Sequence, residues 1–198
     1  MAAQLILGSN SPRRKELLEQ IHITADKIIA ADIDEAVLKN ELPRIYAQRM
    51  AQSKCQAVQQ NHPNDFILSA DTIVCMGRRV LGKPQDASQA QQFLQALSGR
   101  SHRVYTAVSL YSPQTQVFHH RLCESRVIFH RLDSNDINYY IASNEWQGKA
   151  GAYAIQGYGG RFIRKIIGSY TNIVGLPCDI CYNLLKGSGY PPLQGKLL

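Results

Sequence analysis

Missing from this 198-residue chain is any apolar run near the roughly 18 residues of a membrane-spanning helix, so no membrane partner is expected. Missing too is a disulfide framework: Cys55, Cys75, Cys123, Cys178 and Cys181 are odd in number and irregularly spaced. Met1 to Ile6 is too short for a secretory signal and lacks a cleavage pattern, so a reducing cytoplasm is the expected compartment. No Walker A pattern, GxGxxG fingerprint, nucleophile elbow or Ser/His/Asp arrangement occurs. The histidines show no metal-ligand spacing, and His119 and His120 would face opposite ways on a strand. Cys178 and Cys181 have CxxC spacing but no second pair, which on a helix merely places them on one face. Without repeats, low-complexity tracts or long linkers, residues 1–198 read as one domain.

What is present is ordinary in bulk and unusual in detail. The hydrophobic fraction of 44% and the length allow a sizeable core, which could be built as two lobes. A net charge of +7 favours an anionic partner, either a nucleotide or a nucleic acid. Neither a basic-aromatic repeat nor a helix-turn-helix accompanies that charge, which weighs against stable nucleic-acid binding. Periodicity predicts strands at 5–7, 27–31 and 66–76, and helices at 43–60, 86–99 and 133–142. An antiparallel pair is expected from 102–111 and 116–130, and a last helix over about 176–186. The irregular alternation predicts an α/β domain with a mixed sheet.

The stretch "LILGSNSPRRKELLEQI" (5–21) poses an electrostatic problem. Ser11 is a good N-cap and Pro12 a good first helical residue. Arg13, Arg14 and Lys15 then fall beside the positive end of the helix dipole, where cations are disfavoured. Asp71 is equally out of place, inside the apolar strand "FILSADTIVCM" (66–76). An unpaired carboxylate buried there would cost several kcal/mol, so it needs a cation, a metal or a water-filled cleft. A structural ion pair with an arginine is the plainer alternative. Lys54 lies on the apolar stripe of its helix, where snorkelling or a cleft would explain it. Lys83 precedes Pro84, which fixes an extended backbone. Gln156, in the glycine-rich run 150–162, carries an amide able to read a base edge.

Taken in order, "SNSPRRKELL" (9–18), "SADTIV" (69–74), "LGKP" (81–84), "GKAGAYAIQGYGG" (148–160) and "GSYTNIVGLP" (168–177) resemble the signatures of the Maf family, over about Leu5 to Leu185. That resemblance implies nucleoside triphosphate pyrophosphatase activity. It also implies an inosine-triphosphatase-like (Maf/Ham1) α/β fold, with a mixed twisted sheet, flanking helices and two lobes around a cleft. By matching motif to motif, Asp71 takes the place of the family's proton acceptor. Arg13, Thr72 and Gln156 match positions associated with choice of base. Ser9, Arg14, Lys54 and Lys83 match other polar cleft positions, and Ser11 at the helix start joins them as a substrate-binding residue. Glu35, with Asp71, is the candidate ligand for an implied divalent cation, Mg²⁺ or Mn²⁺. The wording of the later motifs resembles the branch acting on dTTP and UTP, apart from Ala154 for a more usual Gly and Ile173 for a more usual Val. A homodimer is compatible with the resemblance.

A triphosphate at the helix start would answer the problem of residues 13–15, since backbone N–H groups, the dipole and two guanidinium forks would all hold it. Asp71 would take a proton from the attacking water or hold that water through the metal. The competing expectations are the same chemistry on 7-methyl-GTP, and a non-catalytic nucleotide- or nucleic-acid-binding regulator linked to septum formation.

Overall fold

Fully buried Leu5, Ile6 and Leu7 make strand β1 (Leu5–Leu7), which enters the middle of a sheet rather than its rim. The structure, a computed structural model, describes residues 3–191. After β1 come α1 (Pro12–Gln20), β2 (Lys27–Ile28), α2 (Pro43–Asn61), β3 (Phe66–Met76), β4 (Arg79–Leu81) and α3 (Ala87–Leu97). The chain continues through β5 (Ser101–Ser112), β6 (Val117–Phe129), α4 (Ser134–Ala142), β7 (Ile163–Ile167), α5 (Tyr170–Val174) and α6 (Cys178–Gly187). Short 3₁₀ turns at Ala150–Ala152 and Tyr158–Phe162 interrupt the glycine-rich run. Among the described residues no helix is long and apolar enough to cross a membrane.

Most predicted elements form close to their expected bounds. Asp86 caps α3 by accepting from Gln89 N at 2.7 Å, and Asp133 and Asp136 form a reciprocal capping box on α4. Four elements differ from expectation. The strand expected at 27–31 pairs only at Lys27 and Ile28, because its partner β1 is three residues long. The last helix starts at Cys178, after the separate turn of α5 ends at Gly175. Strands β4 and β7 were not anticipated; both are short and gain their definition from the neighbours they pair with.

The sheet runs β2-β1-β3-β5-β6-β7, with β4 paired to β3. β1 is parallel to both β2 and β3, whereas the β3–β4, β3–β5, β5–β6 and β6–β7 pairs are antiparallel. Helix α2 covers one face, with Tyr46, Ala47, Met50 and Ala51 against Ile73 and Ala107. Two cores occupy the other face. In one, Leu17, Leu18, Leu184 and Leu185 pack on Leu5, Phe66 and Leu68; Cys178 and Cys181 are buried there as apolar filler. In the other, Phe93, Leu94, Ile137 and Tyr140 pack on Val74, Val104 and Val127.

Strand β3 joins the two lobes. Phe66, Leu68 and Ala70 belong to the first core and Val74 to the second, with Thr72 between them. Residues 67 and 73 face α2, and so, by the two-residue period, does Asp71. β1 pairs with β3 only at 66–68, and β4 only at 74–76. Among the described residues the edge from Ser69 to Ile73 therefore has no strand neighbour, and a cleft opens beside it.

The second lobe also contains a pH-sensitive support. His102, 2% exposed, shares a 2.8 Å hydrogen bond between Nε2 and the Tyr153 hydroxyl and packs edge-on to Phe129. Burial pushes its pKa down to about 4. A depressed folded-state value means that its stabilisation is complete above the unfolded pKa of about 6.5 and disappears as pH falls towards 4. Urea unfolding at pH 7 and pH 4.5 should show wild type losing about 2–3 kcal/mol more than His102→Gln. Equal losses would show that the imidazole is not held neutral.

Candidate active site

A cavity of about 860 Å³ lies against the open edge of β3, between the lobes. Every candidate site residue read from the sequence lines it: Ser9, Ser11, Arg13, Arg14, Glu35, Lys54, Asp71, Thr72, Lys83 and Gln156. They come from both faces of the sheet. Asp71 points towards α2 and Thr72 towards α1 and α5, and the missing strand neighbour lets both reach one space.

On the α2 side, the helical period sets Tyr46, Met50 and Lys54 in line, which explains the position of Lys54 on the apolar stripe. Its Nζ donates to Asp71 Oδ1 at 2.6 Å and lies 2.7 Å from Glu35 Oε1. The ion pair that Asp71 requires is thus made by a lysine, not the arginine of the plainer alternative. Lys54 and Asp71 are each 13% exposed, whereas Glu35 is 51% exposed and reaches in from a loop. Tyr46 secures that loop by donating its hydroxyl to Glu35 O at 2.7 Å. Arg49 fastens it again, through Ala36 O and a two-pronged contact with Glu41. Burial pushes the Glu35 pKa up, but the Lys54 hydrogen bond and the charges of Lys54, Lys83 and Arg14 outweigh it, and the net shift is down. No hydrogen bond from the described residues reaches Asp71 Oδ2.

On the opposite side the three cations of α1 separate. Lys15 turns to solvent and pairs with Glu19 at 3.6 Å. Arg14 turns inward. Its Nε donates to Gly175 O at 2.9 Å, Nη1 to Ser9 Oγ at 2.9 Å and Nη2 to Thr72 Oγ1 at 3.2 Å. Those acceptors are all neutral, and burial lowers the guanidinium pKa, aided by Arg13 and opposed by Asp71. Gly175 has φ +132, a conformation open to glycine that turns its carbonyl onto Arg14. Of the five guanidinium N–H groups, two remain for a ligand. Arg13 keeps a place in the cavity wall; burial lowers its pKa, and among the described residues no carboxylate lies within ion-pair distance. Ser11 caps α1 with backbone alone, and its N–H donates to Ser9 Oγ at 3.2 Å.

The far rim carries Lys83, exposed just after β4, and Gln156, exposed at the tip of a loop held at both ends. Ala154 N donates to the Tyr140 hydroxyl at 3.0 Å, and Tyr158 N to Glu145 Oε2 at 2.7 Å. Lys149 was not anticipated. It lines the cavity, donates to Gln147 O at 3.2 Å and has its pKa lowered by burial and by Arg13. Nothing in its local pattern separates it from a turn lysine. Its significance comes from the like charge brought beside it.

This cleft, with an acid held at a bare strand edge and, among the described residues, cations without counterions around it, occurs in a sequence that matches the Maf-like protein family over residues 4–188. The chain belongs to the Maf family. Among curated relatives, a dTTP/UTP pyrophosphatase of Rhodopseudomonas palustris (strain HaA2) is 50% identical, covering 98% of this chain and 96% of that protein. Another so named, from Nitrobacter winogradskyi, is 48% identical over the same shares. Of solved structures, a HAM1 protein from Coxiella burnetii superposes with a TM-score of 0.51 at 14% identity, covering 93% of this chain and 99% of that one. This likeness supports the inosine-triphosphatase-like fold, with its mixed sheet and flanking helices.

Whether this Maf protein could hold a divalent cation depends on its oxygen donors. Among the described residues, no group of three or more His, Cys, Asp or Glu side chains converges as a metal cage. Glu35 and Asp71 do converge, on the same ammonium. Two carboxylates suit a hard cation that completes its shell with phosphate oxygens and water. The donor set fits a metal arriving with a triphosphate.

Proposed function

We propose that this Maf protein hydrolyses dTTP and UTP to the nucleoside monophosphate and pyrophosphate. The observation that carries this reading is Asp71, held at the open edge of β3 beside cations that have no carboxylate within ion-pair distance among the described residues. Full-length likeness to relatives named for that reaction supports it.

In this reading, the phosphates lie among Arg13, Lys83, Lys149 and the two uncommitted N–H groups of Arg14. Repulsion between these cations is relieved when the polyanion binds. A water oxygen attacks the α-phosphorus while the bond to the bridging oxygen of the β-phosphate breaks, and pyrophosphate leaves. The proton lost by that water goes to Asp71 Oδ2, because Oδ1 is engaged by Lys54. Lys54 fixes the rotamer of Asp71 through the 2.6 Å hydrogen bond to Oδ1. With Asp71 Oδ2 taking the proton, Glu35 would hold Mg²⁺ or Mn²⁺, whose charge would neutralise the departing diphosphate when bound. Ser9 and Ser11 set the start of α1 against the phosphates. Thr72 and Gln156 meet the base.

The test quantifies pyrophosphate and monophosphate from UTP, dTTP, CTP and 7-methyl-GTP with Mg²⁺ or Mn²⁺. UTP and dTTP should lead, each releasing pyrophosphate and monophosphate in equal amounts. Gln156→Ala should narrow that lead by about tenfold, the effect of one lost hydrogen bond to a base. A lead by 7-methyl-GTP, or release of orthophosphate, would overturn the reading.

A further inference from the structure

The Thr72 hydroxyl faces the cavity with its hydrogen already committed. Beneath it lies Thr106, wholly buried on β5 and opposite Thr72 in register. The two oxygens are 3.0 Å apart, and Thr106 Oγ1 is 2.9 Å from Asn172 O. A carbonyl only accepts, and Asn172 is itself wholly buried, so Thr106 gives its single hydrogen to that oxygen. Thr106 must then accept from Thr72. The alternative, Thr72 donating to Gly175 O, spans 3.4 Å to a carbonyl already taken by Arg14 Nε. From the cavity side, Arg14 Nη2 can only donate to Thr72. Thr72 therefore receives one hydrogen from Arg14, passes its own to Thr106 and keeps one lone pair.

Such a hydroxyl is an acceptor only. A phosphate oxygen cannot bind it, however cationic the surroundings, because both partners lack a hydrogen. The group it meets must be an N–H or O–H. In uracil and thymine the ring nitrogen N3 carries a hydrogen, whereas in cytosine the same nitrogen is a bare acceptor. We infer that Thr106 is a positioning residue that fixes the hydrogen-bond polarity of Thr72, making the site select for a pyrimidine N3–H and against cytosine. This rests on the reading above that Thr72 meets the base. The chain Arg14, Thr72, Thr106, Asn172 O runs in one direction, from an obligate donor to an obligate acceptor, so its polarity does not depend on the ligand.

The experiment compares kcat/KM for UTP and CTP in wild type, Thr106→Val, Thr106→Ser and Thr72→Val. Thr106→Val preserves bulk but frees the Thr72 hydrogen to serve a bare ring nitrogen. The UTP-to-CTP ratio should fall at least about tenfold, while Thr106→Ser, which keeps the relay, should hold the wild-type ratio. Thr72→Val should also lower it. A merely structural role for Thr106 would change both substrates alike and leave the ratio fixed. If Thr72→Val lowers the ratio and Thr106→Val does not, the relay is wrong and the placement of Thr72 stands. If neither changes it, Thr72 does not meet the base and both fall. Should Thr106→Val fail to fold, Thr106→Cys, whose thiol accepts weakly, gives the same comparison. Should turnover be too low, calorimetric affinities for UMP and CMP supply the ratio.

Discussion

Asp71→Asn lowers kcat for UTP by about 10²–10⁴-fold, the usual contribution of a positioned general base, and leaves KM within a few-fold of wild type. The amide has the carboxylate's shape, and its oxygen can still accept from Lys54, so the fold and the cationic cleft persist. What disappears is an atom that can take a proton. In the proposed reading phosphate binding depends on Arg13, Arg14, Lys83 and Lys149, and among the described residues none of these bonds directly to Asp71. Nucleotide affinity measured calorimetrically should therefore survive when steady-state turnover does not. Near wild-type kcat in Asp71→Asn would remove Asp71 from the proton path. A large loss of UTP affinity with kcat retained would instead make it a binding group.

Asp71 also shows why parts of this site were legible in the sequence. A carboxylate in the middle of eleven strand residues, most of them buried, conflicts with local preference, and that conflict is a signal. Lys54 on an apolar stripe and adjacent arginines at a helix start are conflicts of the same kind. Sequence could not reveal how the three α1 cations divide their work. Lys15 is a surface partner of Glu19, and Arg14 is partly consumed by neutral acceptors whose positions depend on Gly175, distant in the chain. Lys149 and Thr106 conflict with nothing locally, since a turn lysine and a strand threonine are ordinary. Their meaning is tertiary: one stands beside Arg13, the other under Thr72. In the fold, elements with their own periodicity were readable, whereas β4 and β7 depend on pairing supplied by other strands. The open edge between Ser69 and Ile73, which creates the cleft, follows from strand lengths on either side and has no signature in β3 itself.

Lys54→Met is the complementary change, because it removes the cation and keeps both acids. Asp71 and Glu35 would then face the same small volume without the ammonium that separates them, and like charges at that spacing resist joint ionisation. The sign is fixed by Glu35, whose pKa burial raises and Lys54, together with Lys83 and Arg14, brings down overall. Without Lys54, the proton affinity of Glu35 rises and a smaller fraction of it is ionised at a given pH. The acid limb of the kcat/KM profile should move to higher pH, and kcat on its plateau should fall about 10–10²-fold from the lost charge-assisted hydrogen bond. Stability supplies a second sign. In wild type, the depressed Glu35 pKa contributes stability that is present above the unfolded value and lost as pH falls. In Lys54→Met, protonation relieves repulsion, so the stability deficit relative to wild type should shrink between pH 7 and pH 5. Lys54→Arg keeps the charge but replaces a compact ammonium with a planar fork, and should retain the acid limb while losing part of kcat. An unmoved acid limb in Lys54→Met would mean that the group titrating in catalysis is neither Asp71 nor Glu35, and the proton would need another acceptor in the cleft.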